Sequence, residues 1–131
     1  HTIVEKTGAV IVGEEQCTGS RYYEQLVDEN PETLDGMLDA IADKYLDIHC
    51  ACFTPNAERT EDVLRLARDL SADGVIHQSL QFCATYQTEA TSVDRAVKQA
   101  GYPVLRLDTD YSAEDVGQLS TRVEAFVEML R

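Results

Sequence analysis

Four short β-prone runs, each followed by a helix-length amphipathic stretch, constrain this chain's fold more than any other feature. They cover residues 9–12, 47–53, 75–82 and 103–108. No hairpin signal joins one run to the next. Strands that alternate with helices in this way predict a parallel sheet with right-handed crossovers. The expected fold class is α/β: a four-stranded parallel sheet with helices on both faces, a Rossmann-like or flavodoxin-like three-layer α/β/α arrangement. At 131 residues the chain is near the common size of one domain, and it reads as a single α/β domain over 1–131.

Between the strands the helix signals are regular. Residues 1–8 read as the last turns of a helix stopped by Gly8, which suggests the C-terminal domain of a longer chain. Pro31 interrupts a long helical region. Beyond it Leu34, Met37, Leu38, Ile41 and Tyr45 form one apolar stripe at helical spacing. A helix over 58–71 places Val63, Leu64, Leu66, Ala67 and Leu70 inward and is closed by Asp73-Gly74. Another runs from about Glu89 to Ala100 and stops at Gly101. Ser112 with Asp115 forms a capping-box pattern before a last helix. That helix turns Val116, Leu119, Val123, Phe126, Val127 and Leu130 inward.

The chain carries 11 basic and 24 acidic residues, a formal charge of −13. Nucleic-acid binding needs basic patches to neutralise phosphates, so that class is excluded, as is an anionic membrane surface. No apolar run approaches the roughly 20 residues that span a bilayer. No signal peptide is visible, which points to the cytoplasm. The dinucleotide fingerprint G-x-G-x-x-G and the P-loop pattern are both missing.

The third run carries the chemistry. From Asp73-Gly74-Val75-Ile76 it passes through His77, Gln78, Ser79 and Gln81 to Phe82-Cys83. Buried parallel strands usually read as continuous apolar runs. The polar half therefore implies a strand that faces a cofactor, a substrate or another domain. Ligands of open α/β sheets bind outside the carboxyl ends of strands. Cys17 follows the first run, Cys52 ends the second and Cys83 ends the third, so a parallel sheet would deliver all three sulfurs to one rim. Cys50 falls inside the second run and reads as a small buried hydrophobe. A cytosolic domain of this size needs no disulfide staples, so the thiols are read as reduced. Cys-x-x-Cys pairs, the mark of zinc knuckles and thiol–disulfide catalysts, are missing. A cysteine nucleophile would need a base; His49 and His77 are the internal candidates, and a structural role suits both better. An iron–sulfur ligand on a strand-end loop meets the fewest objections, because clusters are held by thiolates. Thr18-Gly19-Ser20-Arg21 could hold an anion at a helix start or be an ordinary cap. Asp108, Thr109, Asp110 and Tyr111 read as a solvated turn.

Longer stretches carry a resemblance. The segments 73–83, 100–111 and 117–126, with Cys17-Thr18-Gly19-Ser20-Arg21-Tyr22, Pro55-Asn56 and Arg59, resemble the C-terminal domain of the 2-hydroxyacyl-CoA dehydratase family. That family includes the 2-hydroxyglutaryl-CoA dehydratase D-component and the benzoyl-CoA reductase subunits. The resemblance implies an oxygen-sensitive iron–sulfur cluster, [4Fe–4S] or larger. It implies two protein partners, an ATP-hydrolysing iron–sulfur activator and a homologous subunit. The implied chemistry is radical dehydration of an acyl-CoA thioester. By the same likeness Cys83 matches the family's cluster ligand, with the remaining ligands in a preceding domain, so that this stretch alone would hold no complete cluster. The run 49–56 resembles relatives with double-cubane clusters that reduce small molecules, an ATP-dependent alternative. A flavodoxin-like binding module with incidental thiols is the third reading.

Overall fold

The computed structural model describes residues 1–16, 19–53, 56–110, 112 and 115–131, apart from the side chain of Ser20. Helix α1 spans Thr2–Lys6. A 3-10 turn follows at Ser20–Tyr22. Helix α2 covers Leu34–Leu46 and α3 covers Ala57–Asp69. Then come β1 (Val75–Leu80), α4 (Ala84–Gln99), β2 (Val104–Thr109) and α5 (Val116–Met129). Helices α1, α2, α3 and α5 fall where the sequence signals place them, but the long helical region expected before Pro31 is reduced, among the described residues, to the 3-10 turn at Ser20–Tyr22. Thr33 caps α2 by accepting from the Gly36 amide at 3.2 Å.

The sheet departs from expectation. Among the described residues it has two strands, not four: β1 and β2 pair in parallel, from Val75 opposite Val104 to Leu80 opposite Thr109. The four-stranded Rossmann-like sheet is therefore corrected to one strand–helix–strand unit with helices around it. The reason lies in backbone pairing. A strand exists only where its amides and carbonyls meet a neighbour. In the run 9–12, Val10 is 78 % exposed, and at Gly13 the chain presses on the end of α3. A Cβ there would stand 2.3 Å from Leu70 Cδ1. In the run 47–53 local turns take the groups a ladder would need: the Cys50 amide donates to Ile48 O at 2.7 Å, and the Phe53 amide to Cys50 O at 2.9 Å.

Alternation along the strands sends side chains to two faces. Ile76, Leu105 and Leu107 pack with Val123 and Val127 of α5, and Ile3 and Val4 of α1 extend that cluster. On the opposite face His77 meets Asp94 of α4, the helix that buries Ala90, Val93 and Val97. Gly74 enters β1 under α5, where a Cβ would lie 2.9 Å from Phe126 Cζ; the position needs a hydrogen. It does not close α3, a role taken by Ser71 in a left-handed conformation. Gly8 and Gly101 do take positive φ behind α1 and α4, as helix-ending glycines should.

Three smaller expectations are corrected as well. Helix α4 begins at Ala84, five residues before the expected start at Glu89, so Cys83 is its N-cap rather than a loop residue. The capping box at Ser112 does not form: α5 starts after Asp115, and the Ser112 amide donates to Asp110 at 2.6 Å. The apolar stripe of α2 exists but faces outward, with Leu34 71 % exposed and Ala40 the residue that is buried. Among the described residues no helix is long and apolar enough to cross a membrane.

Candidate functional site

Strand β1 ends at Leu80, and the chain turns at once into α4. The Cys83 amide donates to Leu80 O at 3.1 Å and closes that turn. Phe82, inside it, is held at φ +65°, a region that non-glycine residues rarely occupy. Its ring is almost wholly exposed. Cys83 is half-buried at the N-terminus of α4. Helix N-termini stabilise thiolates. The Tyr86 amide is the strongest influence on this thiol, followed by the Thr85 hydroxyl 3.6 Å from the sulfur. Together they hold its pKa below the ordinary thiol value, against burial and against the like charge of Cys50.

Of the three sulfurs expected on one rim, two fall among the described residues. Cys83 stands at the end of β1, Cys52 is exposed, and Cys17 lies outside the described residues. Cys50, which sequence reasoning treated as core, is near enough for its charge to act on Cys83. The tight turn at 50–53 takes it out of the strand it was assigned to. The described cysteines are free thiols. Among the described residues no group of three His, Cys, Asp or Glu side chains could hold a metal ion.

The histidines are bonded to carboxylates. His49 Nδ1 lies 2.5 Å from Asp62 and His77 Nδ1 2.5 Å from Asp94. The Asp62 hydrogen bond raises the His49 pKa above the usual imidazole value; burial opposes it, and the charges of Asp62, Asp47 and Glu58 add to it. His77 Nε2 is buried and has no hydrogen-bond partner among the described residues. The end of β2 is tied to its neighbour: Ser79 Oγ donates to Asp108 and Gln78 Nε2 to Thr109 Oγ1, both at 2.6 Å. Tyr111 lies outside the described residues. Of the anion-binding candidate 18–21, Thr18 does as well, and Arg21 is engaged with Glu15 and with Tyr86.

That engagement belongs to an ion cluster that nothing in the sequence announced. Arg59 of α3, 3 % exposed, pairs with Glu15 and Glu89 and lies 4.5 Å over the Tyr86 ring. An arginine on an amphipathic helix ordinarily reads as a solvated residue. Behind Arg21 opens a cleft of about 270 Å³ walled by Lys44, Asp47, His49, Asp62 and Arg65.

The family model for "2-hydroxyglutaryl-CoA dehydratase, D-component" matches residues 1–130. The chain belongs to that family. It is 44 % identical over 128 residues to the Escherichia coli (strain K12) protein YjiM, which carries a dehydratase-subunit name; the match covers 97 % of this chain and 32 % of YjiM. It is 26 % identical over 129 residues to the (R)-phenyllactyl-CoA dehydratase beta subunit of Clostridium sporogenes, covering 98 % and 33 %. It is 30 % identical over 106 residues to the (R)-2-hydroxyglutaryl-CoA dehydratase beta subunit of Acidaminococcus fermentans, covering 76 % and 28 %. The chain thus spans about one third of the length of the curated relatives it matches.

Proposed function

We propose that this chain forms the thiol-bearing part of an iron–sulfur dehydratase of 2-hydroxyacyl-CoA thioesters, working as one domain of a longer subunit. The observation that carries the reading is Cys83 itself: a thiol at the carboxyl end of a parallel strand and the N-terminus of a helix, with its pKa lowered by the Tyr86 amide and the Thr85 hydroxyl. Soft thiolates select iron–sulfur clusters, so the donor fits the group. It is one donor. The others would come from Cys17, from Cys50 or Cys52, and from the rest of the longer protein. When bound, the cluster supplies one-electron transfer to the thioester that is to lose water. This chain's own contribution is to present the sulfur and to lower its pKa through the Tyr86 amide and the Thr85 hydroxyl.

Two features support partners. Relatives are named as beta subunits, which favours assembly with a second, homologous subunit. The cleft of about 270 Å³ falls below the roughly 300–1,000 Å³ of ordinary ligand pockets, so an acyl-CoA would need walls from elsewhere. An ATP-dependent iron–sulfur activator is the electron source this reading requires. The run 49–56, with free thiols at Cys50 and Cys52, supports one second reading, a reductase with a larger cluster on the same framework.

The test is iron analysis and visible absorption of the full-length protein, prepared without oxygen. Cys83→Ala is expected to lose most of the iron and the cluster absorption; retention of both sinks the assignment. Loss on Cys50→Ala as well would add Cys50 to the ligand set, and the iron count per chain of the parent separates a [4Fe–4S] cluster from a larger one.

A further inference from the structure

Arg59 is buried to 3 % exposure, and its guanidinium joins three separate pieces of chain. Nε and Nη2 each donate to Glu15 Oε2 at 3.2 Å. Nη1 donates to Glu89 Oε2 at 2.5 Å. The guanidinium carbon lies 4.5 Å from the centre of the Tyr86 ring. Arg21 completes the set: it donates to Glu15 and, at 3.1 Å, to the Tyr86 hydroxyl. Two arginines and two glutamates balance. All four are mostly withdrawn from water, with side-chain exposures of 3 % and 7 % for the arginines and 15 % and 18 % for the glutamates.

Burying such a group is a poor route to stability, because desolvation offsets much of the attraction; fixing a register is its best-attested use. Here the register concerns the thiol. Glu15 and Arg21 bracket position 17 in the sequence, while Tyr86 and Glu89 occupy the first two turns of α4, the helix capped by Cys83. The planar fork of an arginine can bridge two carboxylates and stack on an aromatic ring at once, which an ammonium cannot. We infer that Arg59 is a positioning residue: with Glu89 and Tyr86 it locks Glu15 and Arg21 to the first two turns of α4. It thereby fixes where the Cys83 sulfur stands relative to the ligands that complete its site. The inference rests on the reading of Cys83 as a cluster ligand.

The test uses the full-length protein loaded anaerobically with ferrous iron and sulfide. Arg59→Lys keeps the charge and removes the fork and the stack. The Gln87 amide, which donates to Cys83 O at 3.0 Å, closes the first turn of α4. Its hydrogen exchange is expected to quicken roughly tenfold in Arg59→Lys, while the amides of Leu107 and Val127 keep their rates, the mark of a local opening. Iron content should hold, and the electron paramagnetic resonance line shape of the reduced cluster should change. An unaccelerated Gln87 amide or an unaltered line shape overturns the inference. Should Arg59→Lys fail to fold, Tyr86→Leu removes the stacked ring and the Arg21 partner but spares the ion pairs, and carries the same two readouts. Cys83→Ala is the separate arm. Retained iron there overturns the ligand reading, and Gln87 exchange in the unloaded chain, Arg59→Lys against its parent, still decides the clamp.

Discussion

His49 bonds to Asp62 through Nδ1 and lies 3.6 Å from Asp47 through Nε2. Its raised pKa makes folding depend on pH, and the sign follows from linkage. The folded group holds its proton more tightly than the unfolded one, whose value is 6.5. The stabilisation is therefore complete below about pH 6.5 and fades as pH rises through the higher folded value. Urea unfolding of the parent and of His49→Gln should show a gap of up to about 1 kcal/mol in mild acid that closes toward alkaline pH. A gap that widens with pH would refute it. Phe82 shows a different constraint. A left-handed non-glycine residue costs roughly 1–2 kcal/mol, and this ring, 93 % exposed, recovers little by burial. Glycine adds about 0.5–1 kcal/mol of unfolded-state entropy. Phe82→Gly should therefore raise the unfolding free energy by up to about 1 kcal/mol; a loss would show that the ring contributes packing. A structural role for His49 was expected, but neither its carboxylate partners nor the backbone of Phe82 was legible in the sequence. His49 lay in a run read as strand, and nothing in the triplet Gln81-Phe82-Cys83 signals a positive φ.

The elements divide by what they bury. Helix α5 places Val123 at 1 % exposure against Leu107 and Val127, whereas Leu34 of α2 is 71 % exposed. Both helices show apolar residues at helical spacing, so the sequence alone cannot rank them. The structure does. Val123→Ala leaves a cavity and should cost about 2 kcal/mol. Leu34→Ala should change unfolding by less than about 0.5 kcal/mol. Equal costs in denaturant melts would mean that α2 packs as tightly as α5. The strands divide in the same way. The runs 75–80 and 104–109 find each other across α4, and the runs 9–12 and 47–53, as β-prone in composition, find no ladder among the described residues. Periodicity specifies a helix because its hydrogen bonds lie within the element. A strand's bonds lie in its neighbour, and composition does not say where the neighbour is.

At the scale of the whole molecule, the sequence by itself determined most of the helices, the strand that leads to Cys83, the acidic composition and the family, because each is written in local spacing or in residue identity along the chain. Only the tertiary structure decided that two strands pair rather than four, that Cys83 caps a helix, that Cys50 lies within its electrostatic reach, and that Arg59 is sealed between two carboxylates. Those facts depend on which distant segments share space. An arginine on a helix and a glutamate 44 residues away carry no mark of each other until folding removes the water between them. The physical reason is desolvation: a charge chooses a partner only where solvent is excluded, and exclusion is a property of the assembled chain.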